Sequence, residues 1–139
     1  MTLRYLLDTD VLSEPLYSKP DQKVMDKLKE HAGAICTATI VWHELLFGCY
    51  RLPPSRKRRV IERYLGDVVG STVPLLPYDE RAAEWHAAER ARLEAKGQPR
   101  PFADGQIAAI AKVNGLVLVT HNSGHYRDYD GLPVEQWHQ

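Results

Sequence analysis

Short runs of consecutive apolar residues alternate along the chain with longer segments in which apolar residues recur at helical spacing. Residues 3–7, 34–36 and 116–119 are apolar runs of strand length, and each predicts a buried strand. Residues 73–76 are also apolar, but the prolines in and after this run favour a strand at the edge of a sheet. Residues 134–135 predict a last short strand.

Five segments between these strands predict helices. The first begins at Asp21, the second spans residues 40–50, and the third follows Ser55, which is its N-cap. The fourth spans roughly residues 79–96 and ends before Gly97, and the fifth spans residues 103–114. In the helix after Ser55, the residues expected to face inward are Val60, Ile61, Tyr64 and Leu65.

This alternation predicts an α/β protein with a parallel sheet and helices on both faces. The 139 residues are expected to form one domain, since the chain contains no repeat and no composition shift typical of a linker. Ligands of such sheets bind beyond the carboxyl ends of the strands, near the point where the strand order reverses. Asp8 and Thr120 each follow a predicted strand, so they are the first candidate site residues.

Composition narrows the class of protein further. Hydrophobic residues make up 44% of the chain and charged residues 26%, which is typical of a globular domain and excludes a disordered polyelectrolyte. The 18 basic and 18 acidic residues give zero net charge, so a uniformly basic nucleic-acid binder is also excluded. The charge is nevertheless uneven, because residues 51–63 hold six basic residues against one acidic residue.

The two cysteines and the N-terminal residues indicate a cytoplasmic protein. Cys36 and Cys49 form no CxxC motif, so a disulfide framework and a cysteine-rich zinc site are both unexpected. The apolar run at residues 3–7 is too short for a signal peptide. No stretch approaches the ~18 consecutive apolar residues that a membrane span requires.

Three acidic residues lie at or beside positions that are predicted to be buried, where a carboxylate is unusual. Asp8 ends a buried strand, which fits either a binding site or a helix N-cap. Asp104 opens the inward face of a helix rich in small residues, and it also complements the helix dipole there. Glu44 admits two interpretations, because it lies either within an apolar stripe of its helix or at the margin of a second stripe that forms the core. These stripes are Ile40, Phe47 and Gly48 for the first and Val41, Leu45 and Leu46 for the second.

Several carboxylates in one partly buried space repel each other unless they hold protons or a cation. A set of oxygen ligands favours Mg²⁺ or Mn²⁺ over zinc. Such an ion activates water and stabilises charge on a phosphate, so the acids together predict a metal-dependent nuclease or phosphatase.

Four segments, taken in order, are similar to the PIN-domain ribonucleases, and specifically to the VapC-type toxins of toxin–antitoxin pairs. They are LLDTDVLSE at residues 6–14, ELLFG at 44–48, FADGQIAAIA at 102–111 and LVTHN at 118–122. Each segment alone is unspecific, whereas the four in this order and spacing extend over nearly the whole chain.

The resemblance implies a three-layer α/β sandwich and a Mg²⁺- or Mn²⁺-dependent endoribonuclease. It implies that Asp8 and Asp104 are the main metal ligands, with Glu44 completing the acidic cluster. Thr120 and Asn122 would orient the acids or the attacking water. The implied partners are an RNA substrate, a small antitoxin and a second copy of the chain in a homodimer, with no membrane.

The chain departs from the family pattern at three positions, one of which is Val41, where many relatives carry a hydroxyl three residues before the glutamate. His125 stands where a fourth acid is usual, and it fits a metal ligand, a phosphate contact or an ordinary surface histidine. Asp10 replaces the usual asparagine and adds a possible further acid. The basic cluster is either an RNA-backbone contact or a solvated helix face; it consists of Arg56, Lys57, Arg58 and Arg59.

Two other functions remain open at this point. Asp8 and Asp10 also resemble the DxD of haloacid-dehalogenase-type phosphatases, which use an aspartyl nucleophile. That reading needs a second acid pair late in the chain, for which the only candidate is the loop at residues 128–130. A catalytically degenerate PIN module that binds RNA or a partner is the other alternative, and it is motivated by His125.

Overall fold

The structure, a computed structural model, describes residues 2–138. Its single sheet consists of β1 (Tyr5–Leu7), β2 (Ile35–Ala38), β3 (Leu75–Leu76), β4 (Val117–Val119) and β5 (Val134–Glu135). The strand order is β3-β2-β1-β4-β5, and every neighbouring pair is parallel. The predicted parallel sheet is therefore confirmed, as is the edge position of the proline-flanked strand β3.

Helices surround the sheet and complete a three-layer α/β sandwich. They are α1 (Thr9–Ser13), α2 (Gln22–Glu30), α3 (Thr39–Tyr50), α4 (Arg56–Arg63), α5 (Gly70–Thr72), α6 (Glu80–Ala95) and α7 (Phe102–Val113). Short 3₁₀ turns occupy Glu14–Leu16, Ala32–Ala34 and Ser123–His125, and a π-helical segment, Tyr64–Val69, joins α4 to α5. Within residues 2–138, none of these helices is both long enough and apolar enough to cross a membrane.

The helix boundaries follow from local chemistry. The side chains of Asp21, Ser55 and Asp79 accept hydrogen bonds from backbone amides of the first turns of α2, α4 and α6. Such caps satisfy amides that have no partner within the helix. At the other end of α6, Gly97 has a φ of 72°, a left-handed conformation in which glycine meets no steric penalty.

The central strands are buried on both faces, as expected for a parallel sheet covered by helices. Leu6 and Leu7 of β1 and Leu118 of β4 are fully buried. Each such side chain contributes roughly 1.5–3 kcal/mol through the hydrophobic effect. From α7, Ile107 and three alanines are buried in the same core, and the small alanine side chains let that helix pack closely.

Two details of the fold differ from the sequence prediction. Helix α1 was not predicted, because five residues are too few to show a helical period. Val60 was predicted to face inward, but it is 53% exposed. Helix α4 instead packs through Ile61, and the following π-helical segment buries Leu65. Val60 lies one position, and so about 100°, away from this buried stripe.

The topology brings several polar residues to the carboxyl edge of the sheet. The chain passes from β1 outward to β2 and β3, then crosses back to β4 on the other side of β1. The switch point therefore lies between β1 and β4, where Asp8 and Thr120 follow their strands. Helix α3 begins directly after β2 at the same edge and carries Glu44.

Candidate active site

Asp8 is held in place from two sides at the end of β1. Its Oδ1 accepts a 2.8 Å hydrogen bond from the backbone amide of Thr9, and its Oδ2 accepts a 2.9 Å bond from the hydroxyl of Thr120. Burial raises the pKa of the Asp8 carboxyl, while these two hydrogen bonds lower it. The negative charges of Asp10 and Glu44 raise it further. Asp8 thus caps α1 and also lies among other acids, so the two interpretations of this residue are compatible.

Glu44 lies at the margin of the buried face of α3. Val41 and Leu45 on that helix are buried, whereas Phe47 is 57% exposed, so the interpretation that placed Glu44 in a buried apolar stripe is wrong. The margin interpretation is correct for the helix, but this margin faces the end of β1. The hydroxyl of Thr9 donates a 2.8 Å hydrogen bond to Oε2 of Glu44. A position at the helix margin therefore still brings Glu44 to the neighbourhood of Asp8.

Asp104 comes from the first turn of α7. Burial raises the pKa of its carboxyl, and the nearby positive charges and a hydrogen bond from Tyr126 lower it. The Tyr126 hydroxyl lies 3.4 Å from Oδ1 of Asp104, and Nδ1 of His125 lies 3.9 Å from Oδ2. Asp104 therefore has two neighbours on the loop that follows β4.

The charges of all three acids raise the pKa of the buried Tyr126 hydroxyl. Burial is the largest cause that raises the pKa of this phenol, and the charges of Asp8, Asp104 and Glu44 follow in that order. Asp104 lies 3.4 Å from this hydroxyl, whereas Asp8 and Glu44 act on it through their charge. Tyr126 was not predicted as a site residue. The signal that identifies it is its place directly after His125, the position of the usual fourth acid.

The acidic cluster has little compensating positive charge. In the described part of the chain, neither Asp8 nor Glu44 forms an ion pair, and the ion pair of Asp104 is with His125. Between residues 2 and 138, no three His, Cys, Asp or Glu side chains are placed so that they would hold a metal ion as they stand. The donor set nevertheless fits a hard divalent cation, because it consists of oxygen atoms whose charges repel each other in a desolvated space.

The remaining predicted residues lie around this cluster at different distances. Thr120 is buried and contacts Asp8 directly. The side-chain amide of Asn122 reaches Asp10, with 3.4 Å between Nδ2 and Oδ2, and its backbone amide donates to the Thr120 hydroxyl at 3.1 Å. The side chain of His125 is 64% exposed, which places it at the rim.

The basic cluster on α4 is divided by its contacts. Arg58 donates a 3.0 Å hydrogen bond to the carbonyl of Leu52 and pairs with Glu62 at 2.7 Å. Arg56, Lys57 and Arg59 are exposed. Arg58 therefore stabilises its own helix and the loop before it, while the other three basic side chains face solvent.

Two buried acids outside the cluster were not predicted. Glu89 accepts two hydrogen bonds from Arg92 and a 2.7 Å bond from the amide of Asp130. Glu14 accepts a 2.9 Å bond from the amide of Asp21 and lies 3.1 Å from Nε2 of His121. Both acids hold the loop after β4 that carries Tyr126. The signal for Glu89 is its spacing in the buried stripe of α6, which consists of Ala82, His86, Glu89 and Leu93.

Comparison with known proteins agrees with this architecture. Residues 5–132 match the PIN domain. The chain is 30% identical over 136 residues to the tRNA(fMet)-specific endonuclease VapC of Shigella flexneri, covering 97% of this chain and 98% of the relative. It is 33% identical over 141 residues to toxin FitB of Neisseria gonorrhoeae, covering 96% and 98% of the two chains.

A solved structure shows the same fold. The structure of FitAB bound to an IR36 DNA fragment contains a chain that superposes with a TM-score of 0.89 at 28% identity, over 97% of this chain and 96% of that one. The matched family and the relatives cover nearly all of the sequence, and the resemblance seen in its four segments is confirmed. The chain belongs to the PIN-domain family and is one of its VapC-type members.

Proposed function

We propose that this protein is an endoribonuclease toxin that hydrolyses RNA phosphodiester bonds with the help of Mg²⁺ or Mn²⁺. The observation that carries the proposal is geometric: Thr9 donates hydrogen bonds to both Asp8 and Glu44, and the Tyr126 hydroxyl, which lies 3.4 Å from Asp104, is also within reach of the charges of the other two acids. These acids come from three elements and have little positive charge beside them. The names of the relatives, an endonuclease, ribonucleases and a toxin, support the same reaction.

The three carboxylates would hold the metal ion through their oxygen atoms. When bound, such an ion activates water and neutralises developing charge on the phosphate. Thr120 fixes Oδ2 of Asp8, and Thr9 fixes Oε2 of Glu44, so both acids are oriented before substrate arrives. Pre-oriented groups need no rearrangement during the reaction, which lowers its barrier. Asn122 supports the rim through Asp10, and His125 stays a rim residue in this proposal.

The partners and location follow from the same class. We expect a small antitoxin that holds the toxin inactive, a homodimer, and a cytoplasmic location. A relative is named toxin FitB, and a solved neighbour is FitAB on DNA. The phosphatase alternative is not favoured, because one acid of the pair it requires, Asp128, is paired with Arg100.

Cleavage of end-labelled RNA by the purified protein tests the proposal. We expect cleavage with Mn²⁺ or Mg²⁺, loss of cleavage in EDTA, and recovery when either ion is restored. Asp8→Asn and Asp104→Asn should abolish cleavage, and Glu44→Gln should lower it strongly, because each removes a charged ligand. Glu84→Gln, on the exposed face of α6, is the matched control and should cleave like the wild type.

The outcomes separate the three functions. Undiminished cleavage after thorough chelation would contradict the metal mechanism. Hydrolysis of a small phosphate monoester without RNA cleavage would favour the phosphatase. Tight RNA binding without cleavage under any metal would identify a degenerate module.

A further inference from the structure

Helix α3 carries a column of flat side chains on its exposed face. The rings of His43 and Phe47 are nearly parallel, with 18° between their planes and 6.3 Å between their centroids. The guanidinium of Arg51 lies 5.6 Å from the centroid of the Phe47 ring. All three residues are exposed, and Phe47 shows 57% of its surface to solvent. These residues, one helical turn apart, form what we call the α3 column.

The α3 column starts beside the acidic cluster and leads away from it. His43 directly precedes Glu44. An open groove of about 300 Å³ runs along the same helix, with Thr9 and Glu44 at one end and Gly48 and Arg51 in its wall. A Cβ added at Gly48 would meet no atom within 4 Å, so this part of the groove is open. One residue of the α3 column, Arg51, and one acid of the cluster, Glu44, therefore line the same groove.

Positive charge continues beyond the α3 column. A second groove of about 360 Å³ shares Leu16 and Ile61 with the first and is lined by Arg56 and Lys57. The two grooves thus lead from Glu44 past Arg51 to Arg56 and Lys57 of α4. A chain of phosphates that follows them away from the acids would meet these three basic side chains.

We propose that the α3 column is a stacking platform for unpaired bases of a single-stranded RNA, next to the phosphate that is cleaved. This inference rests on the proposed function and adds the form of substrate that the site takes. Aromatic and guanidinium planes bind the faces of unpaired bases, which a duplex does not expose. An apolar protein partner would require a large apolar side chain at Phe47 but not a flat ring. It would also gain nothing from the basic residues beyond Arg51.

Binding of a fluorescein-labelled 12-nucleotide single-stranded RNA, followed by anisotropy in EDTA, tests this proposal. Phe47→Leu keeps apolar bulk but removes the ring, and it should weaken binding about tenfold. Phe47→Tyr keeps the ring and should bind like the wild type. Arg51→Gln should lower the slope of log affinity against log salt by about one, whereas Arg51→Lys should keep the slope and lose only affinity. A duplex of the same sequence should bind more weakly to the wild type.

Each other outcome overturns the proposal. Equal RNA affinity of Phe47→Leu and wild type would show that no base stacks there. Equal losses in Phe47→Leu and Phe47→Tyr would exclude the ring as the cause. A change of oligomeric state with unchanged RNA affinity would assign the column to contact between copies of the chain. Unchanged RNA affinity with lost binding of a co-expressed antitoxin would assign it to the antitoxin.

Failure of this proposal is distinct from failure of the proposed function. The RNA is recovered from each binding reaction and examined on a gel. Cleavage in EDTA would contradict the metal mechanism. The binding of the variants would then be compared with a non-hydrolysable RNA analogue, so that the α3 column is still tested. Normal metal-dependent cleavage with no effect of the Phe47 variants would contradict the α3 column alone. Thermal unfolding of every variant shows that the exposed substitutions leave the fold intact.

Discussion

Thr9 connects two carboxylates of the acidic cluster, because its hydroxyl donates a hydrogen bond to Glu44 while its backbone amide donates one to Asp8. Both distances are 2.8 Å. Thr9 is the first residue of α1, so the helix cap at Asp8 and the orientation of Glu44 depend on the same residue. The hydroxyl at this position therefore links the end of β1 to the margin of α3.

Replacing the Thr9 hydroxyl tests this connection. Thr9→Val removes the donor while keeping the shape, so Glu44 loses its anchor, and we expect RNA cleavage to fall about tenfold, since a hydrogen bond to a charged group contributes ~1.5–3 kcal/mol. Thr9→Ser keeps the hydroxyl and should retain most activity. The measurement is kcat/KM for a short RNA. Equal rates for the valine and serine variants would show that the bond to Glu44 has no role in catalysis.

The pH dependence of stability in EDTA follows from the pKa of Asp8. Burial raises this pKa in the folded state, so the folded protein binds more protons than the unfolded chain above the ordinary carboxyl pKa of about 3.9. The stability of the metal-free protein should therefore fall as pH rises from about 4 through the raised pKa. The pKa of Asp104 is raised for the same reason and acts in the same direction.

Asp8→Asn removes this charge and should be more stable than the wild type at neutral pH in EDTA. Asparagine is as good a helix N-cap as aspartate, so the cap of α1 is kept. We expect the unfolding midpoint to rise by roughly 2–6 °C. The measurement is circular dichroism during heating at pH 4 and pH 7. A variant that is less stable than the wild type at pH 7 would show that the charge of Asp8 is already compensated.

Metal binding should reverse this instability. Mn²⁺ at about 100 times its Kd should stabilise the folded wild type by about 2.7 kcal/mol, because the ion binds only the folded state. Asp8→Asn and Asp104→Asn should lose this gain, and Glu84→Gln should keep it. Titration calorimetry with Mn²⁺, and with Zn²⁺ for comparison, measures the affinities directly. A preference for Zn²⁺ would contradict the oxygen-ligand site.

His125 should be of minor importance for cleavage. Its side chain is 64% exposed and its Nδ1 is 3.9 Å from Asp104, so its removal leaves the cluster largely unchanged. We expect His125→Ala to change the cleavage rate only a few-fold and to leave the pH–rate profile unaltered. The measurement is the cleavage rate across pH 5–9 in Mn²⁺. A loss as deep as that of Asp8→Asn would make His125 a ligand or an acid–base group.

Gly105 is required where α7 packs against α6. A Cβ at this position would lie 2.2 Å from Nε2 of His86, and the imidazole has little freedom to move, because it is buried and its Nδ1 is 2.8 Å from the Tyr78 hydroxyl. Gly105→Ala should lower the free energy of unfolding by about 1–3 kcal/mol. Gly48→Ala, in the open part of α3, is the control and should be neutral or stabilising by up to about 1 kcal/mol. Equal denaturant midpoints for the two variants would contradict the close approach.

Local patterns in the sequence were enough to predict the strands, most helices and the ends of the strands. Periodicity records which face of each element avoids water, so β1, β4 and α7 are recognisable from their own residues. Asp8 and Asp104 were identifiable as candidates for the same reason. Asp8 is a charged residue at the end of a buried strand, and Asp104 is a charged residue on the inward face of a helix.

The contacts that assemble the site were decided by tertiary structure. Thr9 and Glu44 are 35 residues apart in the sequence, and Asp8 and Thr120 are 112 residues apart. The residue pattern within one helix or strand therefore cannot predict that either pair is in contact. The sequence left Glu44 undecided, because a residue at a helix margin is solvated or functional depending on what lies opposite. The order of the strands places Thr9 opposite Glu44 and the loop that carries Tyr126 beside Asp104, and that arrangement exists only once the sheet has formed.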